Sequence, residues 1–161
     1  MAISSRYRLP RTTTASRGVL NDLLHTPSRQ QVFFSFARVL RPGGVLIVDV
    51  RDWQATVARK RQEPVFEKSV VTPRGTLTFR SVTQLDPLQH QLRVAERHTL
   101  STDERETIAT YDFAMRCWTQ EEVQHHLTQA GFGAVVYLGD YDPMAPVGAS
   151  DRLVSTASFT G

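Results

Sequence analysis

The clearest pattern of apolar positions lies between residues 26 and 50. Thr26 can cap a helix and Pro27 suits the first helical position. The apolar residues that follow recur at helical spacing and predict one buried stripe, namely Val32, Phe33, Phe36, Val39 and Leu40. The helix is expected to end at Pro42-Gly43-Gly44, and Val45–Val50 then forms a β-branched run with almost no polar alternation. A helix, a tight glycine turn and a strand buried on both faces make one unit of an α/β fold.

The middle of the chain alternates apolar and polar residues instead. Four segments show this alternation, namely 64–72, 75–85, 89–100 and 106–117. Turn signals separate them at Pro73-Arg74-Gly75 and Asp86-Pro87. We therefore predict an antiparallel meander of about four strands, with one face for packing and the other for water.

The last part of the chain predicts a helix followed by two strands. Thr119 and Glu122 form a capping box at the start of the helix, and Gly131 is placed to end it in a left-handed conformation. Phe132–Leu138 reads as a strand. The Ser/Thr alternation of the final strand, Leu153–Phe159, suits a sheet edge or an antiparallel hairpin.

Composition narrows the class of protein. The chain has 161 residues, and its 19 basic and 16 acidic side chains give a net charge of +3, which favours neither nucleic acid nor a membrane surface as partner. No apolar run approaches the roughly 20 residues needed to cross a membrane. The single cysteine, Cys117, excludes an internal disulfide and fits a reducing cytoplasm; we interpret it as a small buried residue. The histidines lack ligand spacing, so no metal site is predicted.

Polar residues around the end of the buried strand are candidates for a site. In open α/β sheets ligands bind beyond the carboxyl ends of strands, where Arg51 and Trp53 are expected. Arg51 could pair with a substrate carboxylate or be a surface arginine, and Trp53 could contact substrate or close the core. Asp49 is either a site residue or a structural acid, because a buried carboxylate needs partners.

Two residues of the last meander strand offer a second candidate position. Tyr111 and Arg116 have opposite parity, so a regular strand lets only one of them face a cleft. Tyr111 shares its side with Phe113 and Met115, which favours a core role. Arg116 is either a substrate-side cation or a solvated arginine.

Three segments together resemble the later part of class I S-adenosylmethionine-dependent methyltransferases. They are Arg17–Leu24, the helix–LRPGG–strand signature Ala37–Asp49, and Phe113–Thr119 leading through Ala130-Gly131-Phe132. The resemblance covers residues 17–160 and is closest to members acting on small molecules, such as the glycine/sarcosine N-methyltransferase type. It implies that Gly18, Val19 and Leu20 contact the cofactor and that Asn21 and Asp22 lie near cofactor and substrate, although these two could also be a plain loop pair.

The sequence departs from this family at its beginning. The family's cofactor site starts with a strand and a glycine-rich turn, followed by an acidic residue at the end of the next strand. Nothing before Arg17 supplies these groups, and Arg11–Ser16 lacks the apolar run of the strand expected before Gly18. We expect residues 1–16 to be a disordered or non-native start. Residues 17–161 would then be a truncated methyltransferase domain, with 62–117 as an inserted substrate-side subdomain.

The resemblance implies an α/β fold, a partial Rossmann-like methyltransferase sheet carrying an inserted antiparallel meander. It implies S-adenosylmethionine as cofactor, a small-molecule methyl acceptor, and no catalytic acid or base, because the sulfonium already activates the methyl group. The expected acceptor-binding residues are Arg51, Trp53, Arg116, Asn21 and Asp22. Two alternatives stay open: a non-catalytic interaction module, whose unpaired apolar sheet edge favours homodimerisation or aggregation, and a small-ligand-binding protein that uses the meander as a cup.

Overall fold

The structure, a computed structural model, describes residues 12–15 and 26–161. In these ranges the chain forms two four-stranded sheets and three helices. The helices are α1 (Thr26–Val39), α2 (Trp53–Gln62) and α3 (Gln120–Gln129). The strands are β1 (Thr12–Ala15), β2 (Val45–Arg51), β3 (Val65–Thr72), β4 (Gly75–Asp86), β5 (Gln91–Ser101), β6 (Glu106–Arg116), β7 (Phe132–Leu138) and β8 (Arg152–Phe159). This α/β architecture with an antiparallel meander confirms the predicted fold class.

The main sheet has the strand order β1-β2-β8-β7. Strand β2 pairs in parallel with β1, where Val48 lies opposite Ala15, and antiparallel with β8, where Val50 lies opposite Leu153. The predicted buried strand is therefore part of a sheet with parallel pairing, and its partners are not strands of the meander. Its carboxyl end, at Arg51, lies at the edge of the sheet where α2 begins.

The main core lies between one face of this sheet and the helices α1 and α3. It is formed by Phe33, Ala37, Leu40, Leu46, Val48, Val50, Trp118, Val123, Leu127, Ala130, Phe132, Leu153 and Ala157. The predicted stripe of α1 is wrong at Val39, which is 58% exposed. The buried line of α1 instead runs through Arg29, Phe33 and Ala37 and continues to Leu40 just after the helix, and Val39 points away from it.

One expectation about the strands of the main sheet needs correction, and one pair of alternatives is decided. Thr12–Ala15 forms a strand, although residues 1–16 were expected to lack firm structure. Threonine favours extended backbone, and the edge of β2 offers hydrogen-bond partners that replace a missing apolar run. Strand β8 does form the antiparallel hairpin with β7, but it lies inside the sheet rather than at its edge, and its Ser155 is buried.

The second sheet is the predicted meander, with the order β3-β4-β5-β6 and antiparallel pairing throughout. Its four strands agree closely with the four alternating segments of the sequence. A small second core joins it to the rest of the protein: Leu92, Val94 and Cys117 are buried, and Trp53, Leu85 and Met115 pack against them. The predicted core role of Tyr111 is wrong, because this end of β6 extends beyond the second core and leaves Tyr111 56% exposed.

Helix α2 had no sequence signal of its own, because its ten residues carry no apolar stripe. Asp52 caps it, and the Asp52 carboxylate accepts a hydrogen bond of 2.6 Å from the Ala55 amide. Within the helix only Thr56 is fully buried. Its helical state therefore depends on the cap and on its position between the two sheets.

Candidate functional site

Three segments converge at the carboxyl end of β2. The carbonyl of Arg51 accepts a hydrogen bond of 2.8 Å from the Trp118 amide, and the Trp53 amide donates at 2.9 Å to the Trp118 carbonyl. The Asp52 amide donates at 2.9 Å to the carbonyl of Asp151, at the start of β8. The structure thereby brings the neighbourhoods of Arg51, Trp53 and Arg116, predicted from distant parts of the sequence, to one place.

Arg51 is paired with a carboxylate of the chain itself. Its guanidinium forms an ion pair with Asp151, whose Oδ2 also accepts a hydrogen bond of 2.6 Å from Arg59. The Arg51 side chain is only 17% exposed, so it is not a surface arginine. Asp151 had no sequence signal as a partner, since it lies 100 residues away along the chain.

Asp49 is buried in β2 and holds the loop before β8. Its Oδ2 accepts hydrogen bonds from the Tyr141 hydroxyl at 2.9 Å and from the Arg152 guanidinium at 3.1 Å. The Arg152 guanidinium also lies over the Tyr141 ring, 5.2 Å from its centroid. The other oxygen, Oδ1, is buried and has no hydrogen-bond partner among residues 12–15 and 26–161. Asp49 therefore serves as a structural acid through its Oδ2 atom. Its Oδ1 atom lies near the end of the strand as an acceptor that the described residues do not use.

Trp53 and its neighbours form an apolar wall beside these charges. The Trp53 ring stacks on His90 with centroids 5.0 Å apart, and it packs against the second core. Cys117 is fully buried in that core, and burial raises the pKa of its thiol to about 12. This agrees with the interpretation of Cys117 as a small buried residue, since a thiol with so high a pKa is a poor nucleophile.

Arg116 is buried and paired, so its interpretation as a solvated arginine is wrong. Its side chain is 6% exposed, forms an ion pair with Glu122 and donates to the carbonyl of Gln89. The guanidinium also lies 5.6 Å from the centre of the Trp118 ring. One carboxylate oxygen of Glu122 pairs with Arg116. The other accepts a hydrogen bond of 3.0 Å from the Thr119 amide. The cap of α3 thus also fixes Arg116.

The residues assigned to the cofactor by resemblance cannot be placed. Gly18, Val19, Leu20, Asn21 and Asp22 all lie outside the described residues. Of the described glycines at the main sheet, Gly43 follows α1 with a φ of +79° and Gly131 follows α3 with a φ of +81°. Each follows a helix and precedes a strand, which is the reverse of a nucleotide-binding turn. Neither glycine therefore forms a turn of that kind.

The described ranges contain neither a candidate metal cluster nor a membrane-spanning helix. Among residues 12–15 and 26–161, no group of three His, Cys, Asp or Glu side chains could hold a metal ion. No helix in this part of the chain is long and apolar enough to span a bilayer.

The sequence matches no protein-family model and no curated protein. Solved structures do match. An S-adenosylmethionine-dependent methyltransferase from Clostridium acetobutylicum superposes with a TM-score of 0.73 at 11% identity, over 93% of this chain and 58% of that one. The CcbJ methyltransferase from Streptomyces caelestis superposes with a TM-score of 0.72 at 18% identity, over 92% of this chain and 60% of CcbJ. DesVI from Streptomyces venezuelae superposes with a TM-score of 0.68 at 21% identity, over 91% of this chain and 57% of DesVI.

A further match is to a structure that contains the cofactor. CalS10 from Micromonospora echinaspora, described as an amino pentose methyltransferase with bound S-adenosylmethionine, superposes with a TM-score of 0.69 at 17% identity. The match covers 92% of this chain and 58% of CalS10. The chain thus spans somewhat more than half the length of these structures, and nearly all of it has the α/β fold found in part of these methyltransferases.

Proposed function

We propose that this chain is the acceptor-side part of an S-adenosylmethionine-dependent methyltransferase that acts on a small molecule. The observation that carries the proposal is the rim at the carboxyl end of β2, where the backbones of Arg51 and Trp53 are hydrogen-bonded to Trp118, two residues beyond Arg116. This rim lies within a fold shared with methyltransferases over 93% of the chain. Methyl transfer from a sulfonium requires alignment and exclusion of water more than acid–base chemistry. A rim of fixed charges beside an aromatic wall suits that task.

For the acceptor we propose a small molecule that contacts Arg51, Trp53 and Arg116, together with Asn21 and Asp22. Two matched structures, CalS10 and KedS8 from Streptoalloteichus, are an amino pentose methyltransferase and a sugar N-methyltransferase. They support an amine on a small polar molecule as the methylated group. Cytoplasmic location and homodimerisation through an open edge of the main sheet belong to the same proposal.

We further propose that the chain by itself binds S-adenosylmethionine weakly or not at all and is weak or inactive as an enzyme. The printed sequence lacks the glycine-rich turn of the resembled family, and the described glycines do not replace it. Titration calorimetry of the purified chain with S-adenosylmethionine tests this directly. Micromolar affinity would overturn the proposal, whereas no measurable heat at millimolar cofactor would support it.

A second candidate function is supported by one observation on the meander. A cleft of about 510 Å³ lies on strands β4, β5 and β6, and its lining includes Arg93, Asp112 and the small residue Ala114. It draws no residue from the main sheet, so it would exist in a non-catalytic remnant that binds small ligands or acts as an interaction module.

Ligand-observed NMR with a library of small polar compounds would separate the two candidates. Compounds that lose binding in the Arg93→Ala variant and bind the Arg51→Ala variant unchanged would favour the ligand-binding module. Binders that respond to Arg51→Ala alone would favour the methyltransferase rim.

A further inference from the structure

A small cleft lies where the last turn of helix α2 meets the first two strands of the meander. Its volume is about 240 Å³, and it is lined by Arg59, Lys60, Glu63, Phe66, Phe79 and Ser81. It shares no lining residue with the larger cleft on β4, β5 and β6, and its lining contains none of the proposed acceptor-binding residues. The cleft is therefore a separate candidate site.

One wall of this cleft is aromatic. The rings of Phe66 on β3 and Phe79 on β4 lie 6.0 Å apart, and their planes are inclined by 55°. Phe66 lies directly opposite Ser81 in the sheet, so all three side chains share one face of the meander. Phe66 is nevertheless 48% exposed. An exposed ring beside a cleft offers apolar surface that a flat ligand can cover.

The other wall is the end of α2, where the positive charge of Lys60 is not balanced. Arg59 on the same turn already forms an ion pair with Asp151. Lys60 is partly buried and forms no ion pair with a carboxylate of residues 12–15 and 26–161. Glu63 also lines the cleft, but it is exposed and is not within ion-pair distance of Lys60. Lys60 is therefore the charge that an incoming anion can neutralise.

The surroundings of Lys60 disfavour its positive charge. Burial lowers the pKa of Lys60, and the guanidiniums of Arg59 and Arg51 lower it further. The carboxylates of Asp151 and Glu63 act in the opposite direction, but the pKa remains lowered. An anion placed against the ammonium group would supply the missing counter-charge in a site where water screens it only in part.

We propose that this cleft binds a small aromatic carboxylate, whose carboxylate contacts the Lys60 ammonium and whose ring lies against Phe66 and Phe79. Ligand sites commonly combine an apolar lining with a few polar groups that fix the orientation of the ligand. The cleft is smaller than the roughly 300 Å³ at which sites for drug-sized ligands begin, so the ligand has one or two rings. The site goes beyond the methyltransferase proposal and does not depend on it.

Saturation-transfer-difference NMR of the full chain tests the proposal with two probes of the same shape. Naphthoate carries a carboxylate, and naphthamide presents the same rings without a charge. We expect naphthoate to bind at least about fivefold more tightly, because only naphthoate forms a charge-assisted hydrogen bond with Lys60. Equal affinities of the two probes would overturn the proposal, and so would the absence of naphthoate binding at millimolar concentration.

Two matched substitutions on α2 identify the charge that is responsible. Lys60→Met removes the ammonium group and keeps an unbranched apolar stem, so the affinity for naphthoate should fall at least about fivefold and that for naphthamide should not change. Arg61→Met makes the same change in net charge at an exposed neighbour outside the lining, and it should leave both affinities unchanged.

A third variant, Lys60→Arg, keeps the positive charge and should keep the preference for naphthoate. Far-UV circular dichroism verifies that each variant folds. An equal loss of naphthoate affinity in Lys60→Met and Arg61→Met would overturn the proposal, because it would show an effect of net charge alone. A loss of the preference in Lys60→Arg would contradict it as well.

Discussion

Arg116 and Glu122 illustrate how single side chains connect the parts of this protein. The Arg116 guanidinium is buried against Trp118, and its charge is balanced by a glutamate that also caps α3. A buried charge is stable only with its partner in place, so the pair links the last strand of the meander to the helix that covers the main sheet.

Removing Arg116 should therefore be costly. We expect Arg116→Ala to lower the free energy of unfolding by about 3 kcal/mol, because it leaves Glu122 without its cation and opens a gap beside Trp118. Urea unfolding followed by tryptophan fluorescence measures the change. Arg93→Ala, which removes an exposed arginine from β5 of the meander, is the control and should change stability by less than about 0.5 kcal/mol.

His126 gives a second residue-scale prediction, concerning pH. It is buried between Phe33 and Trp118, with ring centroids 5.4 and 5.7 Å away. Burial lowers the pKa of His126, and the charges of His125 and Arg29 lower it further. Below about pH 6.5 the His126 imidazole is protonated in the unfolded chain but stays neutral in the folded chain. Neutral His126 therefore contributes to the free energy of unfolding above about pH 6.5, and this contribution is lost as the pH falls.

The corresponding experiment compares urea unfolding at pH 7.5 and pH 5.5. We expect the wild type to lose stability at the lower pH and His126→Phe to lose distinctly less. His125→Gln, an exposed neighbour, should retain most of the loss because burial is the largest cause of the shift. Equal pH dependence in wild type and His126→Phe would contradict the assignment.

Helix ends are the element-scale feature that fixes this fold most directly. Helix α3 begins with a complete capping box: the Thr119 hydroxyl accepts from the Glu122 amide at 3.2 Å, and the Glu122 carboxylate accepts from the Thr119 amide. Gly131 ends the same helix in a left-handed conformation that turns the chain into β7. Both ends were predicted because each depends on a few neighbouring residues.

The cap should account for a measurable part of the stability of α3. We expect Thr119→Ala to reduce the free energy of unfolding by about 1 kcal/mol, since the Glu122 amide loses its acceptor. Thr119→Ser keeps the hydroxyl and should cost only a few tenths of a kcal/mol. Thermal denaturation of the two variants side by side tests this, and equal losses would show that the hydroxyl is not responsible.

At the scale of the whole molecule, two cores meet at one short stretch of backbone. Trp118 belongs to the main core and Trp53 packs on the second, and their backbones are hydrogen-bonded to each other. Because the same segment also carries the Asp52 cap of α2, one core cannot open without breaking contacts of the other.

We therefore expect a single cooperative unfolding transition. In a Trp53→Phe variant, fluorescence reports only on Trp118 in the main core, whereas far-UV circular dichroism reports on both sheets. The two signals should give the same urea midpoint, as expected for a two-state domain of this size. A meander that unfolds at a lower urea concentration would separate the midpoints and contradict this coupling.

The local pattern of the sequence by itself determined most of the elements. The LRPGG turn, the alternation of the meander and the Thr119–Glu122 cap depend on neighbours along the chain, so helices α1 and α3 and strands β2 to β8 could be predicted. Only the tertiary structure decided which side chains share the candidate site. Asp151 pairs with Arg51 from 100 residues away and Tyr141 reaches Asp49 from 92, and such pairs arise from chain packing, which leaves no periodic trace in the sequence. For the same reason helix α2, which depends on its cap and its neighbours, and the exposure of Tyr111 followed only from the packed molecule.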